Sequence, residues 1–236
     1  MFVQACNQIR ECIYGVIGES QIGQNMVTGT NGSGFMIAPG VLVTAAHMCH
    51  SDNDFSKPLL QKFQAIRSPD VGQKMELITL IAEDIDRDLA LLKIESPRCT
   101  TCVQLECGGV QSGRSVGSLG FPLSSMQFTQ SGRNFSLFER FQGASISAYI
   151  PKLIPSGHAS YIYETDSLMY SGSSGCPGFL VDGRVFGMHI SSIIIRSSDQ
   201  SDAANQSNYE SNRSAISIWA PSEDIKNFAN LNGIQI

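Results

Sequence analysis

Three segments of this sequence carry side chains that together could activate and cleave an acyl bond. Tyr170-Ser171-Gly172-Ser173-Ser174-Gly175-Cys176-Pro177 reads as Gly-x-Ser-Gly-x-Pro, a glycine-flanked turn suited to presenting Ser174 beside backbone N–H donors. A serine hydroxyl is a weak nucleophile and must lose its proton to a base as it attacks, a task suited to a neutral imidazole. Such a base stands far upstream, where Val43-Thr44-Ala45-Ala46-His47 places His47 after an apolar run. Between the two lies Asp88-Leu89-Ala90-Leu91-Leu92-Lys93, whose Asp88 can fix the imidazole tautomer and stabilise the imidazolium. The N–H groups of Gly172 and Ser174 are the expected oxyanion hole, and one such donor is worth ~3 kcal/mol to the transition state. Gly172 also permits backbone angles that this kind of turn can require.

Each segment has a plainer reading when taken alone. Thr-Ala-Ala-His can be a strand end with a core histidine, Asp-Leu-Ala-Leu-Leu-Lys an ordinary capped helix or a strand with a polar start, and Gly-Ser-Ser-Gly a linker. Their occurrence in the chain order His, Asp, Ser selects a catalytic triad and excludes the α/β-hydrolase arrangement, in which the serine comes first. Asp84 and Asp86 crowd Asp88, but only Asp88 directly precedes the apolar run. His50 and His158 lack comparable contexts and are expected at the surface. Cys99, Cys102 and Cys107 are close in sequence, yet no fourth ligand is near, so structural thiols are favoured over zinc. No metal and no cofactor is expected.

The elements that must hold these groups read as short strands. Residues 13–17, 34–38, 41–45, 76–82 and 89–94 are β-type runs punctuated by glycine and proline. After a boundary near 107–113 the pattern resumes at 115–122, 144–150, 161–165, 178–181, 185–191 and 215–219. Many short strands predict an all-β barrel or sandwich. Ser197 to Arg213 is polar and is expected to be a long loop, and Ser222-Glu223-Asp224-Ile225 is a capping signal that opens a short C-terminal helix.

Composition narrows the rest. Across 236 residues, 42% are hydrophobic and only 16% charged, against ~25% in ordinary soluble domains. The net charge of -5 and the lack of a basic cluster disfavour nucleic-acid binding, which needs a cationic footprint. No apolar run is long enough to span a bilayer. The polar residues Gln4, Asn7, Gln8, Arg10 and Glu11 do not read as a secretory signal. Seven cysteines cannot all pair within one chain, and reduced thiols in an intracellular, more specifically cytoplasmic, setting are the simpler expectation.

The three segments, with Gly32-Ser33-Gly34-Phe35, Gly117-Ser118-Leu119-Gly120-Phe121-Pro122, Thr165-Asp166, Gly187-Met188-His189 and Ala220-Pro221-Ser222, resemble the trypsin/chymotrypsin-fold serine proteases. The likeness is greatest to the HtrA/Deg type and its bacterial and viral kin, and it runs from about residue 13 to 228. It implies one peptidase domain over 1–236. Two perpendicular antiparallel β-barrels, about 10–108 and 114–220, would be followed by a helix near 222–231. The triad would then lie in the cleft between the barrels. The implied partner is a protein or peptide substrate, with a regulatory partner or an oligomer as further options.

Departures from the family bear on activation and specificity. Trypsin-like zymogens carry an aspartate just before the nucleophile that pairs with a freed N-terminus; here that residue is Ser173, and no Ile-Val-Gly-Gly-type site occurs near the start. Activation by N-terminal cleavage is therefore not expected. Cys176 replaces the second glycine of the usual Gly-Gly-Pro. By alignment, Leu168, Met169, Tyr170, His189, Ile190 and Ser191 should line the pocket for the residue before the scissile bond. His189 falls where glutamyl endopeptidases and many viral proteases keep a histidine that recognises Glu or Gln, with a Glu preference that fades as the ring deprotonates. Met169 instead resembles the apolar pocket of HtrA enzymes. Both specificities stay open, as does a structural role for His189. The rival from another class is a pseudoprotease, a binding or scaffold module with an unformed oxyanion turn.

Overall fold

The computed structural model describes residues 1–22, 26–68, 75–123, 125–129, 132–154, 159–196 and 213–236. Its strands are β1 Ile13–Ile22, β2 Met26–Ala38, β3 Val41–Thr44, β4 Lys62–Arg67, β5 Glu76–Asp84 and β6 Leu89–Ile94. They close an antiparallel barrel in the order β1-β2-β3-β6-β5-β4. A second closed barrel runs β10-β11-β14-β13-β12-β7. It is built from β7 Ser115–Gly120, β10 Arg140–Leu153, β11 Ala159–Thr165, β12 Pro177–Phe179, β13 Val185–Arg196 and β14 Arg213–Pro221. Strands β8 Ser125–Thr129 and β9 Gly132–Ser136 form a separate two-stranded sheet. The architecture is the expected all-β pair of barrels followed by a C-terminal helix, α2 Ser222–Leu231.

Alternation along the strands explains why the runs read as continuously apolar. In β6, Ala90, Leu92 and Ile94 join Tyr14, Val16, Met36 and Leu42 inside the first barrel. Leu89 and Leu91 point the other way. They enter a cluster with Phe35, Val43, Leu119, Phe121, Phe179 and Met188 that fills the space between the barrels, where Ile225 and Phe228 of α2 also pack. A strand buried on both faces has no polar face to show. The second barrel has its own core of Val116, Ile146, Tyr163, Phe186 and Trp219. Each of these large side chains is worth roughly 1.5–3 kcal/mol when fully buried. The inter-barrel cluster therefore fixes one barrel against the other, on which any site drawing residues from both depends.

Several expectations need correction. The chain opens with a helix, α1 Val3–Arg10, that was not anticipated; Ala5 and Ile9, one turn apart, form its buried stripe, and Arg10 is paired with Glu139 at 2.8 Å. Strand β4 was also missed, although Phe63 and Ala65 alternate with polar neighbours as a half-buried strand should. Ser222 does not cap α2 with its side chain: Pro221 is the N-cap residue, and Ser222 Oγ donates to Glu106 O instead. Glu223 and Asp224 do sit in the first turn, where the helix dipole favours acids. The run expected over 41–45 ends as a strand at Thr44. The loop expected over Ser197 to Arg213 lies outside the described residues, save Arg213, which opens β14.

Candidate active site

His47 and Asp88 come from neighbouring strands of the first barrel. β3 pairs with β6 so that Thr44 faces Ala90, and the chain then leaves β3 into a single 3-10 turn, Ala46–Cys49, which carries His47. Asp88 ends the turn between β5 and β6 at φ +58°, a left-handed conformation that Asp tolerates better than most residues. Its backbone carbonyl accepts the Ala46 N–H at 3.2 Å, and its carboxylate is used twice. Oδ1 accepts the His47 backbone N–H at 2.9 Å and Oδ2 meets Nδ1 at 2.7 Å. A carboxylate only accepts, so Nδ1 carries the proton and the Nε2 lone pair faces outward. Ser174 Oγ stands 2.9 Å from that nitrogen, and its proton has an acceptor in line.

The neighbouring acids are sorted by geometry. Asp84 takes the Arg87 backbone N–H at 3.1 Å and its guanidinium at 2.8 Å, which holds the turn preceding Asp88. The same Arg87 reaches Asp224 of α2 at 3.8 Å, and Ser160 of β11 donates to that carboxylate at 2.9 Å. Thus the second barrel and α2 brace the turn that presents Asp88. His50 is not a surface residue: it is 5% exposed, with Nδ1 at 2.8 Å from Lys57 O and Nε2 at 3.0 Å from Glu83. Its two ring nitrogens are consumed in holding the loop behind His47. His158 lies outside the described residues.

Ser174 sits in a turn whose backbone groups can be counted one by one. Ser173 N–H donates to Tyr170 O at 3.0 Å, closing a four-residue turn with Gly172 at φ +90°, the type II geometry that selects glycine at its third position. Ser171 O accepts from Leu123 N–H at 2.7 Å, Ser173 O from Cys176 N–H at 2.9 Å, and Ser174 O from Ser33 N–H at 2.8 Å. Gly175 N–H donates to His189 O at 2.9 Å. Within Gly172–Gly175 the N–H groups of Gly172 and Ser174 have no acceptor among the described residues. A trans peptide sets its N–H opposite its C=O, so Leu123, by holding Ser171 O, turns the Gly172 N–H away from itself.

The residues aligned with a specificity pocket divide by exposure. Tyr170 and Ser191 are exposed, Leu168 is half-buried, and Met169, His189 and Ile190 are buried. His189 is 3% exposed and packs edge-on against Trp219 at 5.2 Å. Nε2 meets Ser192 Oγ at 3.1 Å, which continues through Ser217 Oγ at 3.2 Å to Ser167 O. Nδ1 has no partner. Burial first, and the nearby His47 second, push the His189 pKa down to about 3. Burial of this kind favours the neutral ring over the charged one. Met169 Sδ accepts from Ser118 Oγ at 3.7 Å, and its N–H donates to Ser217 Oγ at 3.2 Å.

All seven cysteines are unpaired; Cys12, Cys49 and Cys176 are buried, and burial raises each thiol, Cys12 and Cys49 to about 12. Cys99 Sγ donates to Thr101 Oγ1 and Cys102 Sγ to Thr100 O. Among the described residues no three metal-ligating side chains cluster, and no helix is long and apolar enough to cross a membrane. Chelators and mild reductants are expected to leave the melting temperature and turnover unchanged within error. A stoichiometric zinc signal that disappears in Cys99→Ser would overturn that.

Comparison with known proteins bears on the fold and the family. The crystal structure of the active form of the Rv3671c protease from M. tuberculosis superposes with a TM-score of 0.66 at 16% identity, covering 98% of this chain and 85% of that one. No curated protein sequence matches. A family model described as the trypsin-like peptidase domain matches residues 32–188, which include His47, Asp88 and Ser174. The chain belongs to the trypsin-like peptidase family and is a serine endopeptidase.

Proposed function

We propose that the enzyme works through an acyl-enzyme formed on Ser174, with His47 as general base and then general acid and Asp88 holding the imidazole. The observation that carries this is the unbroken line Asp88 Oδ2 to His47 Nδ1 at 2.7 Å and His47 Nε2 to Ser174 Oγ at 2.9 Å. Attack moves the hydroxyl proton to Nε2 while the carbonyl oxygen gains charge. Protonated His47 then gives that proton to the leaving amine, and water repeats the cycle on the ester. The N–H groups of Gly172 and Ser174 receive the oxyanion; that both are free of internal acceptors supports a hole formed before substrate arrives. It also supports activity without N-terminal cleavage, since the turn is held by backbone bonds while the buried Ser173 Oγ has no partner among the described residues.

Fluorophosphonate labelling tests the nucleophile directly. Wild type should label stoichiometrically on Ser174 and Ser174→Ala should not label at all. Absence of labelling in folded wild-type protein would favour the scaffold reading instead. The unpaired thiols support a reducing, intracellular compartment.

For specificity we infer an uncharged residue before the scissile bond, either Gln or one of medium apolar size. A buried neutral imidazole offers no compensation for a desolvated carboxylate, whereas Met169 offers apolar contact and the ring can still take part in a neutral hydrogen bond. Peptide-library profiling should show Glu disfavoured against Gln by ~10-fold or more between pH 6 and 9, with a ratio that does not follow a histidine titration. His189→Ala should depress cleavage after Gln by ~1–3 kcal/mol in transition-state terms while sparing cleavage after Leu or Val. A wild-type preference for Glu that fades between pH 6 and 8 would overturn the neutral-ring reading.

A further inference from the structure

The turn that bears the oxyanion donors belongs to the second barrel, but one residue of the first barrel grips it. Ser33 lies in β2 and is wholly buried. Its N–H donates to Ser174 O at 2.8 Å, and its Oγ lies 2.9 Å from Gly172 O and 3.0 Å from Phe121 N. Phe121 N–H can only donate, so it occupies a lone pair of the hydroxyl. The single hydroxyl proton is thereby left for Gly172 O.

That bond falls at a decisive place. Three successive peptides make up the turn. The first, 171–172, carries one oxyanion N–H and is held by Leu123 N–H. The third, 173–174, carries the other and is held by Cys176 N–H. The middle peptide, 172–173, sets the angle between them; its N–H is held by Tyr170 O and its carbonyl by Ser33 Oγ. The other hydrogen bonds named in this set are backbone to backbone. Ser33 Oγ is the side-chain donor among them, and its bond spans 139 positions of sequence. The side chain directly before the nucleophile supplies no clamp, because Ser173 Oγ has no partner among the described residues.

The space around Ser33 is cut to hold it. A Cβ on Gly120 would come 2.8 Å from Ser33 Oγ, and one on Gly175 would come 2.0 Å from Ser33 O. Thr44 Oγ1 donates to that same carbonyl at 2.7 Å, just before the turn that carries His47. Ser33 therefore has neither room to change rotamer freely nor a second acceptor for its proton within this arrangement.

We propose that Ser33 is a positioning residue of this peptidase: its hydroxyl, donated across the barrel interface to Gly172 O, holds the oxyanion turn in its open, donor-ready form. The inference rests on the serine-peptidase mechanism proposed above. Ser33 is wholly buried and bonds to Gly172, Phe121, Ser174 and Thr44, not to His47, so its loss should leave substrate binding and the acid–base chemistry alone and weaken only the stabilisation of the tetrahedral oxyanion.

The test uses Ser33→Ala in the full chain with a fluorogenic peptide taken from the cleavage library. kcat should fall by ~10- to 100-fold, less than for outright removal of a donor, with KM within about twofold and the pH profile of kcat/KM unshifted. A peptide aldehyde, whose adduct places an oxyanion in the hole, should lose affinity by a factor similar to the loss in kcat. The matching peptide alcohol, which forms no adduct, should bind as before. Should Ser33→Ala fail to fold, Ser33→Cys, which fills the site with a poorer donor, is judged by the same criteria. Failure of both to fold overturns the proposal, since Ser33 is then a folding residue. A folded Ser33→Ala with kcat within twofold of wild type also overturns it, as does a rise in KM alone. Persistent turnover in Ser174→Ala would instead overturn the underlying mechanism, so the two failures are told apart.

Discussion

Ser174→Ala is expected to abolish peptide hydrolysis in a protein that still folds, and His47→Ala or Asp88→Asn to lower kcat by ~10³-fold or more. Ser174 is half-exposed and, among the described residues, its Oγ bonds only to His47, so removing one oxygen costs the fold little. Asp88→Asn is the more informative change. The carboxylate grips His47 at two points, the backbone N–H through Oδ1 and the ring through Oδ2. In the amide, the oxygen is needed by the backbone N–H, which leaves the NH2 group facing Nδ1. A donor there pushes the ring proton onto Nε2, and the base then presents N–H to Ser174 where it should present a lone pair. The loss corresponds to ~4 kcal/mol or more of transition-state stabilisation with little change in KM. Steady-state kinetics with circular dichroism on each variant checks this. Wild-type-like turnover by folded Ser174→Ala would remove Ser174 from the mechanism.

Much of this site was legible in the sequence because its parts are local. His47 and Asp88 each sit at the end of an apolar strand, and strand ends are where a barrel presents side chains to a cleft. The glycines around Ser174 mark a turn because only glycine suits φ near +90° beside the carbonyl of Phe121. What was not legible depends on contacts far apart in the chain. The role of Ser33 needs Gly172, 139 positions away, and that of Leu123 needs a nonglycine residue at φ +59°, which no composition rule flags. His50 misled because a histidine without a motif reads as solvated. Its partners, Lys57 O and Glu83, meet it only once the loop has folded back over β5. The lowered pKa of His189 was likewise hidden, since it follows first from burial and then from His47, which is 142 positions away in the sequence.

Gly172→Ala should be the most damaging single-methyl change to catalysis that leaves all three triad residues in place. At φ +90° an L-residue is strained by ~1–2 kcal/mol, and the added Cβ would lie 2.5 Å from Phe121 O and 3.4 Å from Pro122 Cα. Both contacts are backbone just past the end of β7 and cannot swing aside as a side chain would. The cheapest relief is to turn the 171–172 peptide over, taking φ of residue 172 negative and the turn from type II toward type I, in which any residue fits the third position. That movement breaks the Leu123 N–H to Ser171 O bond and swings the residue-172 N–H out of the hole, because the two groups of one peptide rotate together. One oxyanion donor is then lost, and kcat should fall by ~10²–10³-fold, about 3–4 kcal/mol. KM should hold, since no pocket residue has moved. Gly175→Ala makes the contrast: its Cβ would meet Ser33 O at 2.0 Å, and that carbonyl is pinned by Thr44, so strain there should reach the barrel interface and lower the melting temperature as well as the rate. If Gly172→Ala keeps kcat within about threefold of wild type, the Gly172 N–H is not an oxyanion donor, and the hole must be built from Ser174 N–H with another group.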